Sequence, residues 1–241
     1  MSWSGGKDSA CALRALQAAG EYEVVSLLTS VSEEYRRVSH HGVREVLLQQ
    51  QAEAIGVPLD IVYLPSQASG APCTNEVYEA LMGGVMERYR ARGVRRVAFG
   101  DLFLEDLRAY RERNLARAGM EGVFPLWGRD TTALAREVIA TGFRSYLSCV
   151  EGRVGEGFAG REYDAALLAM LPAHVDPCGE YGEFHTFVFD GPIFAHPVDV
   201  RVGEVVTRDG RYYADLVPAR DAEGDRAGAV MPPVLLPSGP A

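Results

Sequence analysis

The feature that most limits what this chain can fold into lies at its start. Ser4-Gly5-Gly6-Lys7-Asp8-Ser9 runs directly into the helix-forming stretch Ala10-Cys11-Ala12-Leu13-Arg14-Ala15-Leu16. Two adjacent glycines let the backbone take conformations that a Cβ forbids and approach an anion closely. A helix starting here aims its unpaired N–H groups, and a dipole end worth roughly half a charge, at the same point. Ser4 and Ser9 add hydroxyl donors, and Lys7 adds a full positive charge on what reads as a surface loop. This is a cradle for phosphates. Such a loop needs a buried strand before it, yet only Met1-Ser2-Trp3 precede Ser4. Either that strand is very short or the natural chain begins upstream with several more apolar residues, and we expect the latter.

The pattern is neither a Walker A loop, which needs G-x-x-x-x-G-K followed by Ser or Thr, nor the dinucleotide G-x-G-x-x-G. S-G-G-K-D-S resembles the pyrophosphate loop of the N-type ATP pyrophosphatases, which split ATP between the α and β phosphates and hold the departing pyrophosphate. A plain Gly-Gly turn before a helix is the alternative reading.

Downstream, apolar runs alternate with helical patterns in a β-α-β-α order, which predicts a parallel sheet covered on both faces. Strands are expected at 22–28, 59–64, 94–99 and 143–150, and helices at 43–55, 75–92, 104–118, 132–141 and 163–170. Val77, Leu81, Val85 and Tyr89 form a stripe at helical spacing. The segment 184–215 alternates in the β manner. We therefore expect a doubly wound α/β domain (HUP-like) over 1–128, a smaller α+β domain over 129–217, and a flexible Pro-rich tail over 218–241.

Charge and cysteine usage narrow the function classes. A formal net charge of −9 argues against a stable nucleic-acid partner. No apolar run approaches the roughly 18 residues a membrane span needs, and no export signal is present. Cys11, Cys73, Cys149 and Cys178 form no C-x-x-C pair and no zinc spacing, which suits reduced thiols in a cytoplasm.

In doubly wound sheets, ligands sit outside the carboxyl ends of the strands where strand order reverses. Four tips should form one rim: the Ser4–Ser9 loop, Thr29-Ser30, the segment 66–75 and Gly100-Asp101. Adenine and ribose are expected near 28–30 and Gly100, with the phosphates over Gly5-Gly6. His41 precedes a helix and is either a hydrogen-bonder at its start or a catalytic group; Arg44 faces phosphate or solvent. Asn75 is either a site residue or a plain helix start. Asp101 and Glu105 are metal or substrate ligands or dipole partners. The run Asp176-Pro177-Cys178-Gly179-Glu180-Tyr181-Gly182-Glu183-Phe184-His185-Thr186 is either a polar turn or a second half of the site. Glu and His suit proton transfer at neutral pH.

Several segments together resemble one family, the diphthine–ammonia ligases, in its bacterial branch. They are S-W-S-G-G-K-D-S at 2–9, H-G-V-R at 41–44, Q-A-E-A-I-G-V-P-L at 51–59 and G-D-L-F-L-E-D-L-R at 100–108. P-L-W-G at 125–128, C-G-E-Y-G-E-F-H-T at 178–186 and D-G-P-I-F at 190–194 complete the set. The last long motif tends toward F-E-T in archaeal and eukaryotic members, where this chain has Phe184-His185-Thr186. The resemblance implies adenylation of a carboxylate by ATP with Mg²⁺, then amide formation with ammonia and release of AMP. It implies an ATP site of Ser4, Gly5, Gly6, Lys7, Asp8, Ser9, Thr29, Ser30, Arg44, Gly100 and Asp101. Catalytic or substrate groups would be His41, Asn75, Glu105, Glu180, Glu183 and His185, and Asp8 and Asp101 would hold Mg²⁺. The carboxylate belongs to a protein or to a small molecule, and a homodimer is compatible with the chain. Other pyrophosphate-loop chemistry, such as sulfur transfer to transfer RNA, and a non-catalytic ATP sensor are the competing readings.

Overall fold

The three residues before the glycine loop are the central strand of a parallel sheet. In this computed structural model, which describes residues 1–39, 41–67 and 73–219, Ser2 pairs in parallel with Leu28. Trp3 N donates to Leu28 O, Leu28 N to Met1 O and Ser2 N to Ala98 O, each at 2.8 Å. Met1–Trp3 therefore fill the slot between β1 (Leu27–Ser32) and β3 (Arg96–Ala98). β1 pairs in parallel with β2 (Leu59–Leu64), and β3 in parallel with β4 (Glu121–Val123). The spatial order is β2, β1, residues 1–3, β3, β4. Strand order reverses beside residues 1–3, and that places the switch point at the glycine loop.

α1 (Lys7–Ala19) and α2 (Glu45–Ile55) bury Leu13, Leu16, Leu47 and Leu48, and each ends at a glycine in the left-handed region, Gly20 and Gly56. α3 (Asn75–Ala91), capped by the Thr74 hydroxyl, and α4 (Glu105–Arg117) pack with β3 around Val85, Tyr89, Val97, Phe99 and Leu115. The expected α3 stripe is buried only at its C-terminal end: Val85 and Tyr89 are buried, while Val77 and Leu81 are exposed.

After α5 (Thr131–Ala140) the chain builds an antiparallel sheet in the order β6, β5, β8, β7, from β5 (Arg144–Glu151), β6 (Phe184–Asp190), β7 (Val200–Arg208) and β8 (Arg211–Pro218). The short α6 (Ala165–Met170) is capped by Asp164. One core cluster contains Trp3, Leu13 and Leu47 from the first part and Leu147, Phe187 and Leu216 from the second. The protein is thus an α/β parallel sheet with a smaller antiparallel sheet packed on a common interior.

Two expectations need correction. The strand placed at 22–28 begins at Leu27, because Glu21, Tyr22 and Glu23 are exposed and unpaired with the sheet. Thr29 and Ser30 consequently lie within β1 rather than beyond it. β4 carried no pattern of its own, being three residues with a glycine at the centre. Most of the Pro-rich tail, and much of the rim segment 66–75, lie outside the described residues.

Candidate active site at the glycine loop

The loop is tied by its own hydroxyls. Gly6 N donates to Ser4 Oγ (3.2 Å), Ser9 Oγ donates to Gly6 O (2.8 Å), and the two hydroxyls lie 3.3 Å apart. Gly5 has φ +78°, and a Cβ there would fall 2.6 Å from Leu48 Cδ2. Both backbone sign and space demand glycine. A Cβ on Gly100 would lie 2.8–2.9 Å from backbone atoms of Asp8 and Ser9. The end of β3 is thus pressed onto the first turn of α1, and Gly100 serves that approach. In the strand register Ser4, Ser30 and Gly100 each follow two residues after bonded neighbours Ser2, Leu28 and Ala98, so they share one row at the sheet edge. Thr29 Oγ1 is buried without a hydrogen-bond partner among the described residues.

Lys7 is not on a surface loop. It is the first residue of α1 and only 2 % exposed. Its ammonium donates to Asp8 Oδ2 (2.9 Å) and to the Cys178 carbonyl, and lies over the Tyr163 and Phe184 rings at 5.7 and 5.4 Å. Lys7 N donates to Thr186 Oγ1 (3.0 Å), and Val188 N donates to Gly5 O (2.9 Å). The segment 176–188, remote in sequence, therefore lies directly on the loop. Burial would lower the Lys7 pKa, but Asp8, Cys178 and Glu180 outweigh it and push it up, so the side chain stays an ammonium. Burial raises Asp8 despite the attraction of Lys7. Gly6 N, Lys7 N and Lys7 Nζ all have protein acceptors here. A phosphate gripping them would take the places of Ser4 Oγ, Thr186 Oγ1 and the Cys178 carbonyl.

The two carboxylates expected at Mg²⁺ differ. Asp8 Oδ1 is buried and has no partner among the described residues, an orphaned acceptor suited to a cation. Both oxygens of Asp101 are occupied by Arg111, at 2.6 and 3.0 Å. Among the described residues no group of three His, Cys, Asp or Glu side chains is arranged to hold a metal. Asp8 fits as one ligand of an ion otherwise held by phosphates and water, and Asp101 does not fit.

The glutamates of the 176–186 turn also have separate jobs. Glu180 Oε1 accepts from Leu102 N (2.8 Å) and Phe103 N (3.4 Å), next to the end of β3. Burial pushes its pKa up to about 7; the Leu102 hydrogen bond opposes this and the Asp8 charge adds to it. Glu183 is 1 % exposed, and accepts from Asp176 N and Tyr181 N, both at 3.0 Å. Its carboxylate holds the turn closed, with both oxygens accepting from backbone. Tyr181, 65 % exposed, meets the Phe103 ring edge-on at 5.3 Å, beside Glu180.

His41 and His185 come together, ring centroids 4.4 Å apart, and His41 Nδ1 lies 3.3 Å from Thr186 O. A Cβ on Gly6 would come 3.2 Å from His41 Cε1, so the pair stands against the loop. Arg44 is not aimed at phosphate. It donates to both oxygens of Asp215 on β8 (3.1 and 2.9 Å), and the buried Arg37 donates to the same carboxylate at 3.0 Å. Asn75 and Glu105 are exposed first residues of α3 and α4, where Glu105 suits the helix dipole. Cys73 packs in the α3 cluster and Cys178 in the other core, while burial pushes Cys11 and Cys178 up to about 12. No thiol near the loop is primed as a nucleophile.

Sequence reasoning passed over Thr186, Asp215 and Gln51. Thr186 stood inside a quoted motif without a role. Gln51 sits three residues after Leu48 on the buried face of α2, and a polar residue on an apolar stripe was the signal.

Residues 1–122 match the family model described as diphthamide synthase N-terminal domain, and residues 130–216 match diphthamide synthase C-terminal domain. Among curated proteins, the diphthine–ammonia ligase of Danio rerio is 28 % identical over 242 residues, covering 88 % of this chain and 89 % of the relative. The human diphthine–ammonia ligase is 26 % identical over 249 residues, covering 91 % and 89 %.

Proposed function

The chain belongs to the diphthamide synthase family, and we propose that it is an ATP-dependent, AMP-forming ligase that adenylates a carboxylate and joins it to ammonia. The observation that carries this reading is the junction at the switch point. A glycine loop with a buried ammonium, Lys7, lies beneath the turn that carries Glu180, whose pKa burial pushes up to about 7. A carboxylate is a poor acyl donor, since its leaving group would be oxide; linking it to the α phosphorus of ATP makes AMP the leaving group. The loop then stabilises charge growing on pyrophosphate, and each well-placed donor in such a role is worth about 3 kcal/mol.

Lys7 supplies the fixed positive charge, and Gly6 N and Lys7 N the oriented dipoles. Glu180, poised between its two protonation states at neutral pH, accepts a proton from the attacking nitrogen. Asp8 would hold Mg²⁺, which when bound neutralises phosphate charge. His41 and His185 stand beside the loop as polar contacts for substrate. The relatives are named for diphthine, and a diphthine-type carboxylate is the first substrate to test. A small-molecule carboxylate is the second reading, favoured by an imidazole at position 185 where the F-E-T motif carries an acid.

The test incubates the protein with ATP, Mg²⁺, ammonium and either a diphthine-bearing protein or pooled carboxylic metabolites, following phosphorus products by NMR. AMP and pyrophosphate appearing only with carboxylate and ammonium is the expected result. ADP with phosphate overturns the reading.

A further inference from the structure

We infer that Gln51 is a positioning residue that sets the shape of the glycine loop and couples it to the antiparallel sheet. Its side chain is fully buried on α2. Trp3 Nε1 donates to Gln51 Oε1 at 3.0 Å, and Gln51 Nε2 donates to Gly5 O at 2.9 Å and to Val188 O. Which end of the amide is which follows from chemistry. An indole N–H can only donate and two backbone carbonyls can only accept, so the amide has one satisfied orientation. One side chain thus joins the central strand, the loop and β6.

The link bears on function through Gly5. Its carbonyl also accepts from Val188 N at 2.9 Å, so Gln51 and β6 together hold the peptide that turns the backbone to φ +78°. That peptide carries Gly6 N and precedes Lys7 N, the donors assigned to pyrophosphate. Without the amide, Gly5 O keeps a single partner, Val188 N, and the turn is held less tightly. The side chain touches no reacting atom, so its loss acts through the loop. This inference rests on the proposed function only for its kinetic consequence; the structural consequence is measured without any nucleotide.

The variant is Gln51→Met, similar in size and apolar, with no hydrogen bonds to offer. In the nucleotide-free protein, amide hydrogen exchange at Gly6, Lys7 and Val188 should accelerate at least tenfold relative to wild type. Exchange in the buried strand β5 should be unchanged. Unchanged exchange at the loop overturns the inference, and so does equal acceleration everywhere, which marks a merely structural residue. Where wild type forms AMP, the same variant should lower kcat/KM for ATP about tenfold, because the displaced donors face charge that grows on pyrophosphate. An unchanged kcat/KM overturns the positioning role. Failure of wild type to form AMP under any condition counts against the proposed function alone, because the exchange result stands separately. Should Gln51→Met not fold, Trp3→Phe removes the indole donor while keeping an aromatic ring in the core. It should give the same exchange pattern at smaller amplitude, and its absence overturns the inference.

Discussion

Replacing Asp215 with alanine removes the carboxylate that Arg37 and Arg44 share among the described residues. Arg37 is 2 % exposed, Arg44 14 % and Asp215 20 %, so the cluster is shielded from solvent though not sealed. Removing one partner of a buried pair costs about 3–5 kcal/mol, because the remaining charge stays desolvated. Partial exposure of Asp215 puts this case near the lower end, about 3 kcal/mol, against a total stability on the order of 5–15 kcal/mol. With a urea slope near the upper end for single domains, about 3 kcal/mol per M, the unfolding midpoint should fall by about 1 M. Tryptophan fluorescence through a urea titration measures it. The double variant Asp215→Ala/Arg37→Met should recover at least half of the loss, since it removes the more buried of the two like charges along with the carboxylate they share. Acid should shrink the gap. Burial would raise the Asp215 pKa, but the Arg44 hydrogen bonds and the Arg37 charge outweigh it and hold the group below its ordinary 3.8. A depressed carboxylate contributes stability above its unfolded pKa and loses it as pH falls through the folded one. The difference between wild type and variant should therefore narrow only below about pH 3.8. A midpoint drop under about 0.3 M, equivalent to about 1 kcal/mol at that slope, would refute the reasoning.

Three other outcomes follow from particular contacts. Glu180→Gln should gain stability relative to wild type as pH rises from 4.5 toward 7, because burial holds the native carboxyl protonated across that window; urea midpoints at pH 5 and 7.5 check it, and a constant difference contradicts it. Gly100→Ala should lower the midpoint by about 1–3 kcal/mol equivalent, since its Cβ meets rigid backbone of Asp8 and Ser9 rather than a yielding side chain. Gly83→Ala, in the middle of α3 with open space around it, should instead be stabilising by about 0.5–1 kcal/mol in the same titration.

The glycine turn and the layered fold were legible in the sequence because both are written locally. Glycines and serines before a helix-forming run define a tight turn at a helix start. Apolar spacing likewise located α2, α5 and the strand Leu59–Leu64 to within two residues. What each charged group does with its charge was not local. Arg44 looked like a phosphate ligand until a carboxylate 171 residues away claimed it. Asp101 was a metal candidate until α4 returned Arg111 to its side. Glu180 and Glu183 are the clearest case. Three residues apart in one turn, they are chemically equivalent in sequence, yet one meets the Leu102 amide across the crevice while the other closes on Asp176 and Tyr181. A charge is assigned by whichever partner reaches it through the folded chain, so the sequence determined which groups were available and tertiary packing decided which remain for chemistry.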